Sequence, residues 1–254
     1  MAEHRFHTPN PVDLEISIPS GDMEIETIDG DESFVVVEGS EKLVEQTVVE
    51  QNGNRISVHY RGKSGLGISI EIGGFTIGSG EKLKVHARIP HASTAELTTA
   101  SADVNIDGTL RTLETKTASG DLAMRGTIDG TATVKTVSGD VLLDDVGGDL
   151  TINSVSGDVR VANVRGSIRT KSVSGDVRVD RAQGPEATLQ SVSGDIRVGV
   201  AAGTNIDVDA NSVSGDLDSE VPLGSDIGAG LGEGPTLVVR GKTVSGDFRL
   251  VRAS

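Results

Sequence analysis

Ser-Gly-Asp is the pattern in this chain most able to do chemistry. It starts at Ser20, Ser119, Ser138, Ser156, Ser174, Ser193, Ser214 and Ser245, with a Ser-Ala-Asp variant at Ser101. Seven of its carboxylates recur with near-constant spacing: Asp121, Asp140, Asp158, Asp176, Asp195, Asp216 and Asp247. If the copies stack, neighbouring carboxylates stand about 5 Å apart. Like charges at that range repel by roughly 1 kcal/mol in water, and by several at an effective dielectric of about 20. Two arrangements would offset this. One is calcium held between oxygen-rich turns of stacked coils. The other has each Asp, with its Ser, accepting backbone N–H bonds in the turn. The calcium-roll consensus repeats Gly-Gly-x-Gly-x-Asp twice per coil, whereas Ser-Gly-Asp occupies one half-coil here. The turn role is therefore the expectation, with no cofactor and calcium as the alternative.

Two basic columns accompany the acid. Arg160, Arg178, Arg197 and Arg249 lie two residues after the Asp. Lys116, Lys135, Lys171 and Lys242 lie three before the Ser, with Asn153, Gln190 and Asn211 in the gaps. They read either as an interaction stripe or as an exposed strand face balancing the Asp ladder, and the net charge of −15 favours the second. A hydroxyl column (Thr117, Thr136, Ser154, Ser172, Ser191, Ser212, Thr243) precedes the motif, and the sequence leaves its facing open.

Catalytic constellations are poor. The five histidines, His4, His7, His59, His86 and His91, all precede the main repeat. His4 and His7 could touch a metal, but a terminus is a poor scaffold for one. A serine nucleophile is normally singular, and eight equivalent copies argue for architecture. Gly73-Gly74 and the segment 228–234 lack the Lys and Ser/Thr of a phosphate loop.

The spacing also fixes the elements. From Ser101 onward the motif recurs at 18, 19, 18, 18, 19, 21 and 31 residues, the mark of a solenoid. Glycines at 139, 148, 157, 166, 175, 184, 194 and 203 halve that period. Between them apolar and polar residues alternate, as half-buried strands require. Frequent Val, Thr and Gly oppose helix. Each coil of about 18–19 residues therefore holds two short strands, stacked in parallel about 4.8 Å from the next coil. Each buried Val, Ile or Leu adds roughly 1.5–3 kcal/mol before entropy.

The composition agrees. Gly numbers 33, Trp and Cys are absent, and there are four Phe and one Tyr. A narrow stacked interior favours aliphatic columns, and a large ring would need small neighbours. Missing Cys excludes disulfides and thiolate zinc sites. Surplus acid and few rings argue against nucleic acid. Residues 1–10 show no secretory pattern, and no stretch approaches the roughly 20 apolar residues of a spanning helix. The expectation is a cytoplasmic protein with no integral membrane segment.

Residues 1–90 read as an N-terminal β cap and 91–254 as the solenoid, with a Gly-rich insert at 218–236. In the cap, Val12, Leu14, Ile16 and Ile18 alternate, Asn52-Gly53 marks a hairpin, and Ile68–Ile72 and Leu83–Ile89 read as strands. The insert is the expected variable contact loop.

The units Lys171-Ser172-Val173-Ser174-Gly175-Asp176-Val177-Arg178-Val179 and Gln190-Ser191-Val192-Ser193-Gly194-Asp195-Ile196-Arg197-Val198, with the lead-in Leu83–Pro90, resemble a bacterial β-strand-repeat family. That family is domain of unknown function 4097, which carries an adhesin label. The resemblance spans nearly all of residues 10–252. It implies a right-handed parallel β-solenoid and relatives in envelope-stress or membrane-associated systems, and it brings no catalytic or ligand residues.

Together these readings give an all-β, right-handed parallel β-solenoid (β-helix). It is expected to be a non-enzymatic, adhesin-like binding scaffold with a protein partner or self-association. Its expected interaction surface is Arg160, Arg178, Arg197, Lys116, Lys135 and Lys171. The alternatives are a calcium-stabilised β-roll and a polysaccharide-acting β-helix enzyme. Such an enzyme needs one unique groove, which regular columns match poorly.

Overall fold

A computed structural model describes residues 1–62, 82–221 and 234–253. Its elements are β1 (Ala2–His7), β2 (Asp13–Ile28), β3 (Glu32–Glu38), α1 (Glu41–Glu45), β4 (Thr47–Asn52), β5 (Arg55–Tyr60), β6 (Leu83–Pro90) and β7 (Ser93–Ser119). The coils then follow as β8 (Leu122–Ile128), β9 (Ala132–Ser138), β10 (Val141–Val146), β11 (Leu150–Asn153), β12 (Val159–Val164), β13 (Ile168–Lys171), β14 (Val177–Ala182), β15 (Glu186–Gln190) and β16 (Ile196–Val200). The last elements are β17 (Asn205–Ser214), β18 (Leu217–Ser219), β19 (Thr236–Ser245) and β20 (Phe248–Arg252).

The chain winds as a parallel solenoid. One ladder runs β8–β10–β12–β14–β16–β20–β18, and the other β9–β11–β13–β15–β19–β17. Equivalent residues stack on equivalent residues: Val141 on Val159, Val159 on Val177, and Val177 on Ile196. These side chains are buried in one aliphatic cluster that runs through the coils. The single ring in the repeat's column confirms how narrow the interior is. Phe248 is buried, and its own coil has Gly241 where a neighbouring coil has Leu189. A Cβ at position 241 would collide with the Phe248 ring.

The Ser-Gly-Asp corners of the coils need their glycine for two reasons. Gly157 and Gly175 have φ of +120° and +118°, a region that side chains with a Cβ rarely occupy. A Cβ on Gly175 would also strike the carbonyl of Gly157 in the coil beneath.

Parallel stacking reaches further back than the period suggests. β2 pairs in parallel with β7, placing Ser20-Gly21-Asp22 on Ser101-Ala102-Asp103. On its other side β2 pairs in parallel with β5 and β6. The antiparallel part of residues 1–90 is narrower: β1 on β3, β3 on β6, and β4 on β5. The hairpin stands where the sequence placed it, with Asn52 opposite Arg55 and Gly53 at φ +61°. Leu83–Ile89 falls within β6. Ile68–Ile72, Gly73-Gly74 and most of the 218–236 insert lie outside the described residues. The five-residue helix α1, with Leu43 buried, was not foreseen.

Stacking order also departs from sequence order at both ends. The coil of Ser245 sits between those of Ser193 and Ser214. At the other end β2 sits between β5/β6 and β7. Sequence order is therefore not stacking order in this solenoid.

Candidate functional site

The corners at Ser138, Ser156, Ser174 and Ser193 share one anatomy. Along β9, Val134 points in, Lys135 out, Thr136 in and Val137 out. Ser138 and Asp140 are then both exposed around the glycine bend, and Val141 points in again. Strand alternation thus persists through the valine and breaks only at Ser-Gly-Asp.

This settles the hydroxyl column. Thr117, Thr136, Ser154, Ser172, Ser191 and Thr243 are buried. Two of them donate to the corner carbonyl two residues on, Thr117 to Ser119 at 3.2 Å and Ser172 to Ser174 at 3.4 Å. Among the described residues the hydroxyls of Thr136, Ser154, Ser191 and Thr243 have no hydrogen-bond partner.

The Asp ladder is a chain of hydrogen bonds between coils. Oδ1 of Asp103 accepts the backbone N–H of Asp121 at 3.0 Å, and Asp121 in turn accepts that of Asp140 at 2.8 Å. The series continues through Asp140 to Asp158, Asp158 to Asp176, Asp176 to Asp195, Asp195 to Asp247 and Asp247 to Asp216. Every ladder carboxylate but that of Asp216 therefore accepts an N–H, and accepts it from the next coil rather than from its own turn. Charge-assisted bonds of this kind offset the repulsion between rungs. Asp247 shows the effect on acidity. The Asp216 N–H, then the Arg249 side chain, hold its carboxyl below the usual 3.8. Among the described residues no group of three or more His, Asp or Glu converges to hold a metal.

The basic columns divide. Arg160, Arg178, Arg197 and Arg249 do stack in register. Arg160 and Arg178 both pair with Asp180, and Arg249 pairs with Asp247 at 2.7 Å. The Arg column thus balances Asp180 as well as the ladder. Lys116 binds Glu114 at 2.8 Å and Glu96 at 3.7 Å, and the Glu114 hydrogen bond holds its amine above 10.5. Lys135, Lys171 and Arg197 form no ion pair among the described residues. His7 and His59 lie against Asp31 and Glu15, and His4 stacks on Phe6.

The sequence reading missed an apolar stripe. In stacking order Val137, Val155, Val173, Val192, Val244 and Val213 occupy the outward slot before the motif's Ser. All six are exposed, from 38% at Val137 to 79% at Val213. On the coils before them the slot holds Pro19, Ala100 and Ala118, so aliphatic bulk begins at Val137. Six rungs make a ridge about 24 Å long, with Lys135, Lys171 and Lys242 on one side and the Asp ladder on the other. The signal was available in the sequence, since valine two residues after an outward lysine must also point out.

An all-β chain winding round an axis, with identical columns and antiparallel strands at its N-terminal end, defines the class: a stacked β-solenoid whose repeated corners form its surface. The chain belongs to the family described as Toastrack DUF4097, which matches residues 13–250. Among curated proteins none matches. A solved structure from Parabacteroides distasonis, described as a "putative lipid binding protein", is 18% identical. It has a TM-score of 0.62, and the match covers 99% of this chain and 96% of that one. Another from Bacteroides fragilis, described as a "putative adhesin", is 15% identical, with a TM-score of 0.50 and coverage of 98% and 96%. At such identities the likeness shows the fold alone.

Proposed function

We propose that this protein is a non-enzymatic, adhesin-like binding scaffold whose docking line is the valine ridge. The observation that carries this is the exposure of six valines in register beside lysines that form no ion pair among the described residues. An aliphatic surface kept exposed on successive rungs costs solubility and marks an interaction site when it is contiguous. A protein partner with an apolar strip flanked by acid on the lysine side fits it. The descriptions given to the two relatives, binding and adhesion, agree with a surface role. The repeated corners present similar groups on successive rungs, which suits binding and gives no singular nucleophile or acid–base pair.

The test compares capture from extracts of the source cell by the parent and by Val155→Ser/Val173→Ser/Val192→Ser. Exposed Val-to-Ser changes leave the core intact, so melting should be unchanged while the captured partner is lost. A capture profile identical in both proteins overturns the proposal. Turnover of any substrate in a polysaccharide panel would overturn the non-enzymatic reading.

A further inference from the structure

The C-terminal end of the solenoid differs from every other rung. β17 and β18 are its outermost strands, and among the described residues nothing pairs with their outer edges. No residue of β17 is fully buried. Ile206, Val208 and Ala210 continue the inward columns of Leu237, Val239 and Gly241 and are covered from one side only. Leu217 continues the column of Phe248 but is 53% exposed.

Polar groups at this edge are equally incomplete. Asn205 donates its N–H to the Pro235 carbonyl, so odd-numbered residues of β17 face β19. In a parallel ladder successive residues bond to opposite neighbours. The N–H and C=O groups of Ile206, Val208 and Ala210 therefore point to the open edge. The Asp ladder also ends here. The Asp216 N–H is bonded to Asp247, but among the described residues nothing donates to the Asp216 carboxylate.

Charge selects the occupant. Residues 204–221 contain Asp207, Asp209, Asp216, Asp218 and Glu220 and no Lys, Arg or His. On the rung beneath, Arg240 stands beside Asp209 and Arg249 beside Asp218. The outer face thus alternates from cation to anion at the edge, and the next strand would need cations. A second copy placed edge to edge about a two-fold axis would set these acids against one another, which is how native edges resist self-pairing.

We propose that this edge accepts an extended segment of a partner protein, with aliphatic residues alternating with Lys or Arg, added as a further strand. The aliphatic residues cover Ile206, Val208 and Ala210 of β17, and the cations between them face Asp207 and Asp209. This rests on the binding-protein reading and adds a second, chemically distinct docking point.

Three ten-residue peptides test it against the full chain: alternating Val/Lys, alternating Val/Glu, and alternating Gly/Lys. Anisotropy should show Val/Lys binding at least tenfold tighter than either control, with the Val208 and Ala210 amides gaining exchange protection. Val208→Pro removes an outward N–H and keeps the bonds to β19, so it should lose at least tenfold in affinity without lower melting. Asp207→Lys/Asp209→Lys should shift preference to Val/Glu, an independent check should the proline variant fold poorly. The valine-ridge variant should bind the peptide unchanged, so failure of the ridge and failure of the edge are separate results. Equal binding of Gly/Lys would mean charge alone and would overturn the proposal. So would amides already protected in the dilute free protein, the mark of an edge covered by the chain's own segment. Protection that rises with protein concentration would point to a second copy and equally overturn it.

Discussion

The two ends of the solenoid solve one problem differently. A stack of parallel strands leaves unpaired backbone and a cut aliphatic column at each end. At the N-terminal end the sheets continue into antiparallel strands, with β3 on β6 and β4 on β5, and β1 adds a strand beyond β3. Leu43 of α1 is buried against the core, and Phe34 lies beneath the guanidinium groups of Arg5 and Arg88. At the C-terminal end the last rung is merely half-buried and carries only acid. The contrast shows that capping is not a by-product of stacking. It takes dedicated residues, and where they are absent, charge guards the edge.

The largest test of this contrast is a charge placed in the column at each end. Val177→Asp lies between complete rungs and should cost several kcal/mol, because the buried carboxylate has no partner. Val208→Asp lies in the open rung and should cost less than about 1 kcal/mol, as for an ordinary surface change. Thermal melts measure both, and equal losses would mean that the C-terminal rung is as covered as the middle.

A smaller effect comes from trimming the two ends. Leu43→Ala should cost about 2 kcal/mol, the low end for a buried leucine. Leu217→Ala should stay within about 0.5 kcal/mol. Denaturant midpoints give both values, and a larger loss at Leu217 would reverse the assignment of capped and open ends.

The smallest effects are electrostatic and opposite in sign. Asp247, near the open end, has its carboxyl held below 3.8 by the Asp216 N–H and Arg249. Its contribution is present above that ordinary value and is lost as pH falls through the lowered one. Lys84, on β6, has its amine raised above 10.5 by the hydrogen bond to Glu24 at 2.7 Å and that residue's charge. Its contribution is present below 10.5 and is lost as pH rises through the raised value. Acid should therefore loosen the C-terminal rungs first, and alkali the β2–β6 contact. Residue-resolved exchange across pH, corrected for intrinsic rates, shows which end opens, and the same order in acid and alkali would contradict both assignments.

Much of this was legible because repetition is written in residue types. The period, the two strands per coil, the aliphatic columns and the Asp, Arg and Lys registers all follow from spacing. The donors to the Asp ladder were not legible, because an N–H one rung away lies 18 or 19 residues off and no local turn rule reaches it. The valine ridge was legible in principle but hidden by the assumption that valine belongs inside. The sequence set Lys116 and Arg178 against the Asp ladder, and only packing beside Glu114 and Asp180 reveals their partners.

By itself the sequence determined the rung: its length, its glycine corner and the chemistry of each column. Those depend on backbone geometry within some eighteen residues. Only the tertiary structure decided the order of the rungs, the capped end and the open one. Neighbouring rungs carry similar columns, so their order shows only in contacts between residues far apart in the chain, as where Ser245 stacks between Ser193 and Ser214.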